Sequence, residues 1–319
     1  MLHAPLNYMS DAVAPSLYRN GRLLTRRDGD GSDGEIVGMQ VDKQHLPIHD
    51  ARRVPPDLAP DLQRNGFAMQ TSTLGDAGLD FLDHHAVLRD YYPHCADVVR
   101  SATGARTVHA FDHNVRSATG KARAVRVAGG QQVQGPARIV HGDYTLTSGP
   151  QRLRDLARPP TGNDTLRSML PAGTALLDEA LVESVLADGR FAIINVWRNI
   201  AAEPVATFPM ALCDGQSVLP NDLSVFEIHY AERIGENYFA RHAPRHRWYH
   251  YPGLTRDEAL LIKQWDSAGA MAQSHGARAD DSAPDGPCTF SFHTAFRDPG
   301  AAEDAPDRWS IEVRCVVIY

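Results

Sequence analysis

Short apolar or alternating runs, each bounded by turn residues, follow one another from about residue 137 to residue 319. Alternating apolar and polar positions are typical of strands with one buried face, and several such runs at modest spacing favour a sandwich, barrel or jelly roll. The predicted strands cover 137–144, 191–199, 204–213, 224–230, 247–251, 259–265, 288–293 and 309–319. One helix, over 175–188, interrupts them, and segments 276–287 and 298–307 are predicted surface loops. The pattern predicts a mainly β fold.

The first 136 residues have a mixed pattern. Apolar residues at helical spacing over 76–102 predict two helices, separated near Pro93 and ending near Gly104. Segment 28–35 is rich in Asp and Gly but lacks the Gly and Glu that an EF-hand loop requires, so we interpret it as a polar turn between two short strands. Segment 117–135 is predicted to be a Gly-rich mobile connection. We expect one domain over 1–319, in which an N-terminal mixed helical and strand shell (1–136) precedes a β core (137–319).

Composition and charge exclude several classes of protein. The chain has 319 residues and a net charge of −7, which does not fit a nucleic-acid-binding protein. Its apolar stretches are far shorter than the ~20 residues that span a bilayer, and the N-terminus lacks the features of a signal peptide. The cysteines are widely scattered and form no CxxC pair. We therefore expect a cytoplasmic protein with reduced thiols, no membrane contact and an oligomeric state left open.

The chain contains 15 histidines, which is a high number. His242, His246 and His250 are spaced by four residues and form one candidate metal cluster, although Pro244 disfavours the helix that this spacing needs. His84, His85, His94, His109 and His113 fall in or beside predicted helices, where surface or capping roles are the simpler interpretation. We rank both groups below the following motif.

The motif His141-Gly142-Asp143 places an imidazole and a carboxylate two positions apart on a predicted strand. Residues i and i+2 of a strand point to the same face, so both side chains can bind one metal ion. A third ligand must come from a distant strand, and His293 is the candidate. Two histidines and one carboxylate form the facial triad of non-haem Fe(II) oxygenases. Taken alone, the short motif is a weak signal.

Polar residues recur at every second position of the final predicted strand, at Arg308, Ser310, Glu312 and Arg314. The intervening Trp309, Ile311 and Val313 are apolar. The polar face is either a solvent face with paired charges or an interior pocket in which a guanidinium binds a carboxylate and a serine adds a hydrogen bond. An Arg-x-Ser sequence after the distal histidine resembles the co-substrate clamp of 2-oxoglutarate-dependent oxygenases.

Seven linked motifs extend this resemblance to roughly residues 105–319. They are VHGDYT (140–145), FAIINVWRNI (191–200), FPMALCDGQSV (208–218), HRWYHYP (246–252), DEALLIKQWDS (257–267), HTAF (293–296) and RWSIEVR (308–314). Together they resemble the hydroxylase/desaturase family that includes AsaB-like proteins, the cephamycin 7α-methoxylase component CmcJ and fungal gibberellin desaturases. The family usually has NVWRP, KQYDS and RESIEVR, so Asn199, Trp265 and Trp309 depart from its pattern.

The resemblance implies a double-stranded β-helix that binds Fe(II) and uses 2-oxoglutarate and O₂. It implies His141, Asp143 and His293 as iron ligands and Arg308 with Ser310 as the 2-oxoglutarate clamp. Arg314 is the alternative clamp residue, and Asn195 is assigned to the co-substrate site. The implied reaction hydroxylates, desaturates or cyclises a small metabolite of a natural-product pathway and releases succinate and CO₂.

Four residues are candidate substrate contacts: Tyr144, Trp197, Arg198 and Tyr249. Tyr144 follows the ligand pair, and Arg198 would suit a substrate carboxylate or amino-acid derivative, although core packing or a surface ion pair explains each residue equally well. Two other functions stay open. One is a cupin-like metal-dependent hydrolase, lyase or isomerase that uses the same ligands without 2-oxoglutarate. The other is a non-catalytic small-molecule binding protein. Under the oxygenase hypothesis, this acidic chain directs positive charge inward, towards a small anion.

Overall fold

The computed structural model describes residues 1–27, 34–74, 78–162, 164–230, 233–277 and 286–319. Most of the predicted turn 28–35 and of the predicted loop 276–287 lies outside these residues. The strands of the described residues are β1 (Leu2–Met9), β2 (Leu24–Arg26), β3 (Val41–Asp50), β4 (Phe67–Thr71), β5 (Thr107–Arg116), β6 (His141–Gly142), β7 (Phe191–Asn199), β8 (Met210–Cys213), β9 (Leu223–His229), β10 (Ile234–Ala240), β11 (Trp248–His250), β12 (Glu258–Asp266), β13 (His293–Ala295) and β14 (Ser310–Ile318).

The helices of the same residues are fewer and shorter. They are α1 (His84–Ala86), which continues through a π-helical turn (Val87–Tyr91), α2 (Tyr92–Thr103), α3 (Ala118–Ala122), α4 (Ser148–Leu156), α5 (Glu179–Asp188) and α6 (Ala270–Gln273). Short 3₁₀ segments lie at Ala51–Arg53, Pro56–Leu58, Thr165–Ser168, Gly215–Ser217 and Pro220–Asp222. The protein is therefore mainly β, as the alternating pattern predicts.

The strands of the described residues form two sheets. The larger has the order β1-β3-β11-β8-β13-β6-β10-β9-β2, and the smaller has the order β4-β12-β7-β14-β5. All pairs of the smaller sheet are antiparallel. In the larger sheet β3 pairs with β11, and β9 with β2, in parallel, whereas its other pairs are antiparallel. In the smaller sheet β14 lies between β5 and β7, so it is paired on both edges.

The two faces of β14 have different neighbours. Ile311 and Val313 are fully buried in an apolar cluster with residues of α2, and burial of each such side chain contributes about 1.5–3 kcal/mol. Ser310 and Glu312 are also buried but point to the opposite face. The polar face of β14 is therefore an interior surface and not a solvent face, which decides between the two interpretations of its alternation.

Helix α2 covers the outer face of the smaller sheet. Its buried residues Tyr92, Cys95, Ala96 and Val99 recur at helical spacing. Pro93 directly follows the π-helical turn in one continuous helical segment, and Gly104 ends the helix in the left-handed conformation at φ 67°. The predicted second helix, with its start near Pro93 and its end near Gly104, is thus confirmed.

Several strand predictions are confirmed and others are wrong in their bounds. Strand β7 covers the predicted 191–199, and β9, β11, β12 and β14 each agree with the prediction to within one or two residues. The predicted strand 137–144 is only the two-residue β6, and β13 begins at His293, where the predicted strand 288–293 ends. Strand β10 was not predicted. Helix α5 begins at Glu179 because Asp178 caps it, accepting a hydrogen bond from the N–H of Leu181.

The expected boundary near residue 136 does not separate the two sheets. Strands β1–β3 from the first part of the chain belong to the larger sheet, and β4 and β5 belong to the smaller sheet. The predicted connection 117–135 contains α3 and a bridge between Arg116 and Gln134. The N-terminal part therefore supplies strands to both sheets.

Two expectations from composition can be compared with the structure. Among the described residues, none of the helices has both the length and the apolar character needed to cross a bilayer. Cys95, Cys213, Cys288 and Cys315 are all buried and free of disulfide bonds, as predicted.

Candidate metal centre

His141, Asp143 and His293 meet between the two sheets. His141 on β6 and His293 on β13 are directly opposite each other, with their ring centroids 4.3 Å apart. Asp143 follows the last residue of β6, so it is not itself part of the strand. Its Oδ1 lies 3.5 Å from Nε2 of His141 and 3.9 Å from Nε2 of His293. One ligand atom from each residue lies within 4.8 Å of the others, a separation that suits one metal ion.

Hydrogen bonds orient the three side chains. His141 Nδ1 lies 2.8 Å from the carbonyl oxygen of Ile139, so this nitrogen carries the proton and Nε2 presents its lone pair. Asp143 Oδ2 accepts a hydrogen bond from Asn195 Nδ2 at 2.9 Å, and its backbone N–H donates to Gln264 Oε1 at 3.0 Å. Because Oδ2 is engaged, Oδ1 is the oxygen available to a metal.

Burial and charge set the protonation of the triad. Burial, reinforced by His293, lowers the pKa of His141 to about 4, and burial also lowers the pKa of His293. Burial is the largest influence on Asp143 and would raise its pKa, but Arg314, the two histidines and the hydrogen bond from Asn195 together outweigh it and hold the pKa well below its usual range. At neutral pH the site therefore offers two neutral imidazoles and one carboxylate, the protonation states that metal binding requires.

The guanidinium of Arg314, the alternative clamp residue, contacts neighbouring carboxylates. It pairs with Asn195 across β7 and β14. Its Nη1 donates to Asp112 Oδ2 at 2.8 Å, its Nε lies 3.4 Å from Asp143 Oδ2, and its Nη2 lies 3.4 Å from Glu312 Oε1. Asn195, which was assigned to the co-substrate site, likewise holds Asp143. Both residues hold Asp143, and a co-substrate role for either stays a prediction.

Arg308 and Ser310, by contrast, retain unused donors. Arg308 is 2% exposed, and only its Nη1 has a partner, the carbonyl oxygen of Phe208. Its Nε and Nη2, together with Ser310 Oγ, are buried and have no hydrogen-bond partner among the described residues. Buried donors of this kind are costly unless a ligand satisfies them. A carboxylate presents the acceptors that a guanidinium and a hydroxyl need, so these residues fit the distal end of 2-oxoglutarate.

Three candidate substrate contacts lie on the interior side. Trp197 is buried beneath the guanidinium of Arg308, whose Cζ is 5.5 Å from its ring, so it supports the clamp. Tyr144 packs against an apolar cluster that the smaller sheet forms with α4 and α5, and burial raises its pKa to about 12. Tyr249 pairs with Leu212, which in turn pairs with His293, and its ring contacts Phe67. A substrate role for these residues stays a prediction.

The prediction for Arg198 is wrong. Arg198 is completely buried on the outer face of β7, opposite to Asn195 and Trp197. Its Nη1 donates to the carbonyl oxygens of Ser72 and Arg256 at 2.6 Å each, and its Nε donates to the Tyr91 hydroxyl at 2.9 Å. Its Nη2 donates to Ser72 Oγ at 2.8 Å. The guanidinium ties β7 to the segments around it and has no donor left for a substrate.

The alternative histidine cluster does not form a metal site in the part of the chain that the structure describes. Across that part, the triad of His141, Asp143 and His293 is the one group with ligand spacing. His246 is buried between the Tyr8 hydroxyl, 3.1 Å from its Nδ1, and Asp222 Oδ2, 3.1 Å from its Nε2. It thus belongs to a hydrogen-bonded core network.

Sequence reasoning missed several polar residues of the interior face. Asp112, Asn114 and Arg116 lie on β5 opposite Arg314, Glu312 and Ser310, respectively. Their alternation was present in the sequence, but the strand that carries them was not predicted. Glu312 is buried, and burial together with the charge of Asp143 raises its pKa. Gln264 lies where the register of pairing between β12 and β7 shifts by one residue, and no sequence pattern indicated this shift.

Comparison with known proteins supports an oxidoreductase family. An uncharacterised protein in the dcmA 3′ region of Methylophilus leisingeri is 39% identical over 200 residues, which cover 62% of this chain and 91% of the relative. The hydroxylase/desaturase poxK of Penicillium oxalicum is 32% identical over 256 residues, which cover 73% of this chain and 66% of the relative. The Fe(II)/2-oxoglutarate-dependent dioxygenase nvfI of Aspergillus novofumigatus is 29% identical over 275 residues, covering 85% of this chain and 81% of the relative.

A solved structure shows the same fold. The iron and alpha-ketoglutarate-dependent endoperoxidase NvfI superposes with a TM-score of 0.71 over 99% of this chain and 97% of that one, at 23% identity. The expected likeness to hydroxylase/desaturase proteins is confirmed, whereas the AsaB/CmcJ subfamily stays a prediction. The family model described as "Oxidoreductase/YMDC permease-like domain" matches residues 6–318, and the chain belongs to this family.

Proposed function

We propose that this protein is an Fe(II)- and 2-oxoglutarate-dependent oxygenase that hydroxylates, desaturates or cyclises a small-molecule metabolite. The observation that carries the proposal is the presence of unsatisfied donors of Arg308 and Ser310 on the interior face that also meets the triad. A metal site alone fits many reactions, but a buried guanidinium and hydroxyl without partners call for a second, anionic ligand. The names of the relatives support the same assignment.

In this assignment, His141, Asp143 and His293 would hold the iron. Iron and 2-oxoglutarate, when bound, supply the O₂-dependent oxidation of a C–H bond, with succinate and CO₂ as co-products. Asn195, Arg314 and Gln264 keep Asp143 in position, and Arg308 with Ser310 binds the distal carboxylate. Trp197 supports the guanidinium of Arg308 from below. The chain thus contributes geometry, charge and an interior largely closed to water.

The proposal extends to the fold and its organisation. The two facing sheets, with the ligands between them, are the arrangement expected of a double-stranded β-helix. We assign the chain to a single domain because strands from its first 136 residues pair in both sheets. The substrate is a small metabolite, a carboxylate or an amino-acid derivative, and Tyr144 and Tyr249 are its proposed contacts.

The proposal is tested by anaerobic reconstitution with Fe(II) and 2-oxoglutarate, followed by exposure to O₂ in the presence of candidate metabolites. The expected result is a visible charge-transfer band before oxygen is admitted and succinate afterwards. Arg308→Ala should abolish succinate release and leave Fe(II) binding intact, whereas His141→Ala should abolish Fe(II) binding. Arg53→Ala, at an exposed position, is the control.

Each alternative function gives a different result. Turnover of a metabolite without O₂ or 2-oxoglutarate, with Arg308→Ala still active, would identify a metal-dependent hydrolase, lyase or isomerase. Failure of the wild-type protein to bind Fe(II) stoichiometrically would identify a non-catalytic binding protein. Either result would overturn the oxygenase assignment.

A further inference from the structure

Arg116 ends strand β5 and lies directly opposite Ser310 of β14. Opposed residues of an antiparallel pair point to the same side of a sheet. The preceding pair, Val115 and Ile311, is buried in the apolar cluster that faces α2. The side chain of Arg116 therefore points to the interior face, together with that of Ser310.

Arg116 is anchored but has no acidic partner. Its Nη1 donates to the carbonyl oxygen of Gly135 at 3.0 Å. Over the described ranges, no carboxylate oxygen lies within ion-pair distance of its guanidinium. Burial lowers its pKa, and the charge of Glu312 only partly compensates. A half-buried cation without a counter-ion is costly, and a bound anion removes that cost.

Arg308 precedes Ser310 by two residues and is influenced by the charge of Arg116. Burial lowers the pKa of Arg308 to about 9, and Arg116 is the neighbouring charge that lowers it most. The guanidinium of Arg308 rests on Trp197, which belongs to β7, whereas Arg116 comes from β5. Ser310 lies on β14, between these two strands, and its hydroxyl has no partner. Arg116, which lies opposite Ser310, and Arg308, two residues before it, thus place two like charges near a hydroxyl that has no partner among the described residues.

We propose that Arg116 is a second arginine of the co-substrate site and binds the distal carboxylate of 2-oxoglutarate together with Arg308 and Ser310. The inference rests on the proposed function and assigns a binding role to a residue outside the Arg-x-Ser sequence. Arg314 is excluded from this role because its donors face Asp143, Asp112 and Glu312. The arrangement favours a co-substrate with a negative charge at both ends.

The test is an anaerobic titration of the Fe(II)-loaded protein with 2-oxoglutarate, followed by the charge-transfer band. Arg116→Gln should raise the dissociation constant of 2-oxoglutarate by about 10–100-fold, because a charge-assisted contact to the carboxylate is lost. Arg116→Lys should give a smaller increase, since it keeps the charge but not the forked geometry. The affinity for Fe(II) alone should not change.

Two controls separate a direct contact from a general effect. Arg27→Gln removes a positive charge that lowers the pKa of Arg116. The guanidinium of Arg27 contacts the ring of Tyr230 and is not assigned to the co-substrate site. The affinity of Arg27→Gln for 2-oxoglutarate should therefore stay within about twofold of the wild type. The second control uses 2-oxopentanoate, which has the same five carbons with a methyl group in place of the distal carboxylate. Its affinity should be equal, within about twofold, in the wild type and in Arg116→Gln.

Arg116→Gln that binds 2-oxoglutarate as tightly as the wild type would overturn the inference and would leave the proposed function intact. This is the result expected if Arg116 binds an anionic group of the substrate instead. If Arg116→Gln does not fold, unchanged 2-oxoglutarate affinity in Arg116→Lys would overturn the inference. If the wild-type protein gives no band with Fe(II) and 2-oxoglutarate, the proposed function falls, and this inference falls with it.

Discussion

Asn195 Nδ2 donates a hydrogen bond of 2.9 Å to Oδ2 of Asp143, and both groups are buried between the two sheets. The bond leaves Oδ1 of Asp143 facing the Nε2 atoms of the two histidines. A carboxylate held in this way can bind a metal through one oxygen only. Asn195 is therefore a positioning residue for the metal centre, and Arg314 assists it from the paired position on β14.

Asn195→Ala should weaken Fe(II) binding by about 10–100-fold, because loss of an outer hydrogen bond lets the ligand rotate away from the binding geometry. An anaerobic Fe(II) titration measures the change. Asn199→Ala is the matched control: Asn199 lies on the same face of the same strand, but its amide donates to the carbonyl oxygens of Glu203 and Leu254. Equal losses of affinity in the two variants would contradict the positioning role.

Divalent metal should stabilise the folded protein through the triad. A ligand present at 100 times its dissociation constant stabilises the native state by about 2.7 kcal/mol, so Mn(II), an air-stable substitute for Fe(II), should raise the Tm. The increase should disappear in His141→Ala and in His293→Ala, as measured by thermal unfolding. His45→Ala removes an exposed histidine and should keep the full increase. An undiminished increase in either triad variant would place the metal elsewhere.

Arg198 should matter for stability and not for metal binding. Arg198→Ala leaves the carbonyl oxygens of Ser72 and Arg256 without their donor. Each buried acceptor without a partner costs about 1–3 kcal/mol, so the free energy of unfolding should fall by roughly 3 kcal/mol or more. Urea unfolding measures the loss, and Arg53→Ala is the exposed control. A fall in Mn(II) affinity of the folded variant would restore Arg198 as a site residue.

His113 should make the stability of the metal-free protein dependent on pH. Burial lowers its pKa to about 4, from an unfolded value of about 6.5. Between these values the unfolded state binds the proton and the folded state does not, so the free energy of unfolding falls as the pH drops from about 6.5 to about 4. In His113→Asn the slope over this window should be shallower. Parallel slopes in urea unfolding at several pH values would contradict this expectation.

Sequence patterns predict best those strands and helices whose own residues define them, without contacts from distant parts of the chain. Strand β7 is buried along its whole length, and its bounds agree with the prediction because its apolar run is sufficient to define it. Strand β5 was missed, and His109 and His113 were placed near helices, although polar and apolar residues alternate along much of this strand. Their burial depends on β14, which lies almost two hundred residues further along the chain.

The same limit applies to the candidate site. The ligands were predictable, because two histidines and an aspartate form a known metal set and the family motifs mark them. The roles of the arginines were not. Alternation correctly placed Arg198 and Asn195 on opposite faces of β7, but only the tertiary structure shows which face lines the site. Arg314 of β14 and Arg308, which precedes this strand, were both candidates, and the contact between Arg314 and Asp112 of β5 could not be foreseen because β5 was not predicted.

The central position of β14 has a consequence for the order of assembly. Strands β5 and β7 both pair with β14, which lies between them. Among the described residues β14 is the last strand to be synthesised, so β5 and β7 each lack this partner until then. Until then both present unpaired edges, which are prone to join other chains. The donors of Arg308 and Ser310 arrive with the same strand. The nascent protein is thus expected to be most vulnerable to aggregation just before its co-substrate site comes into existence.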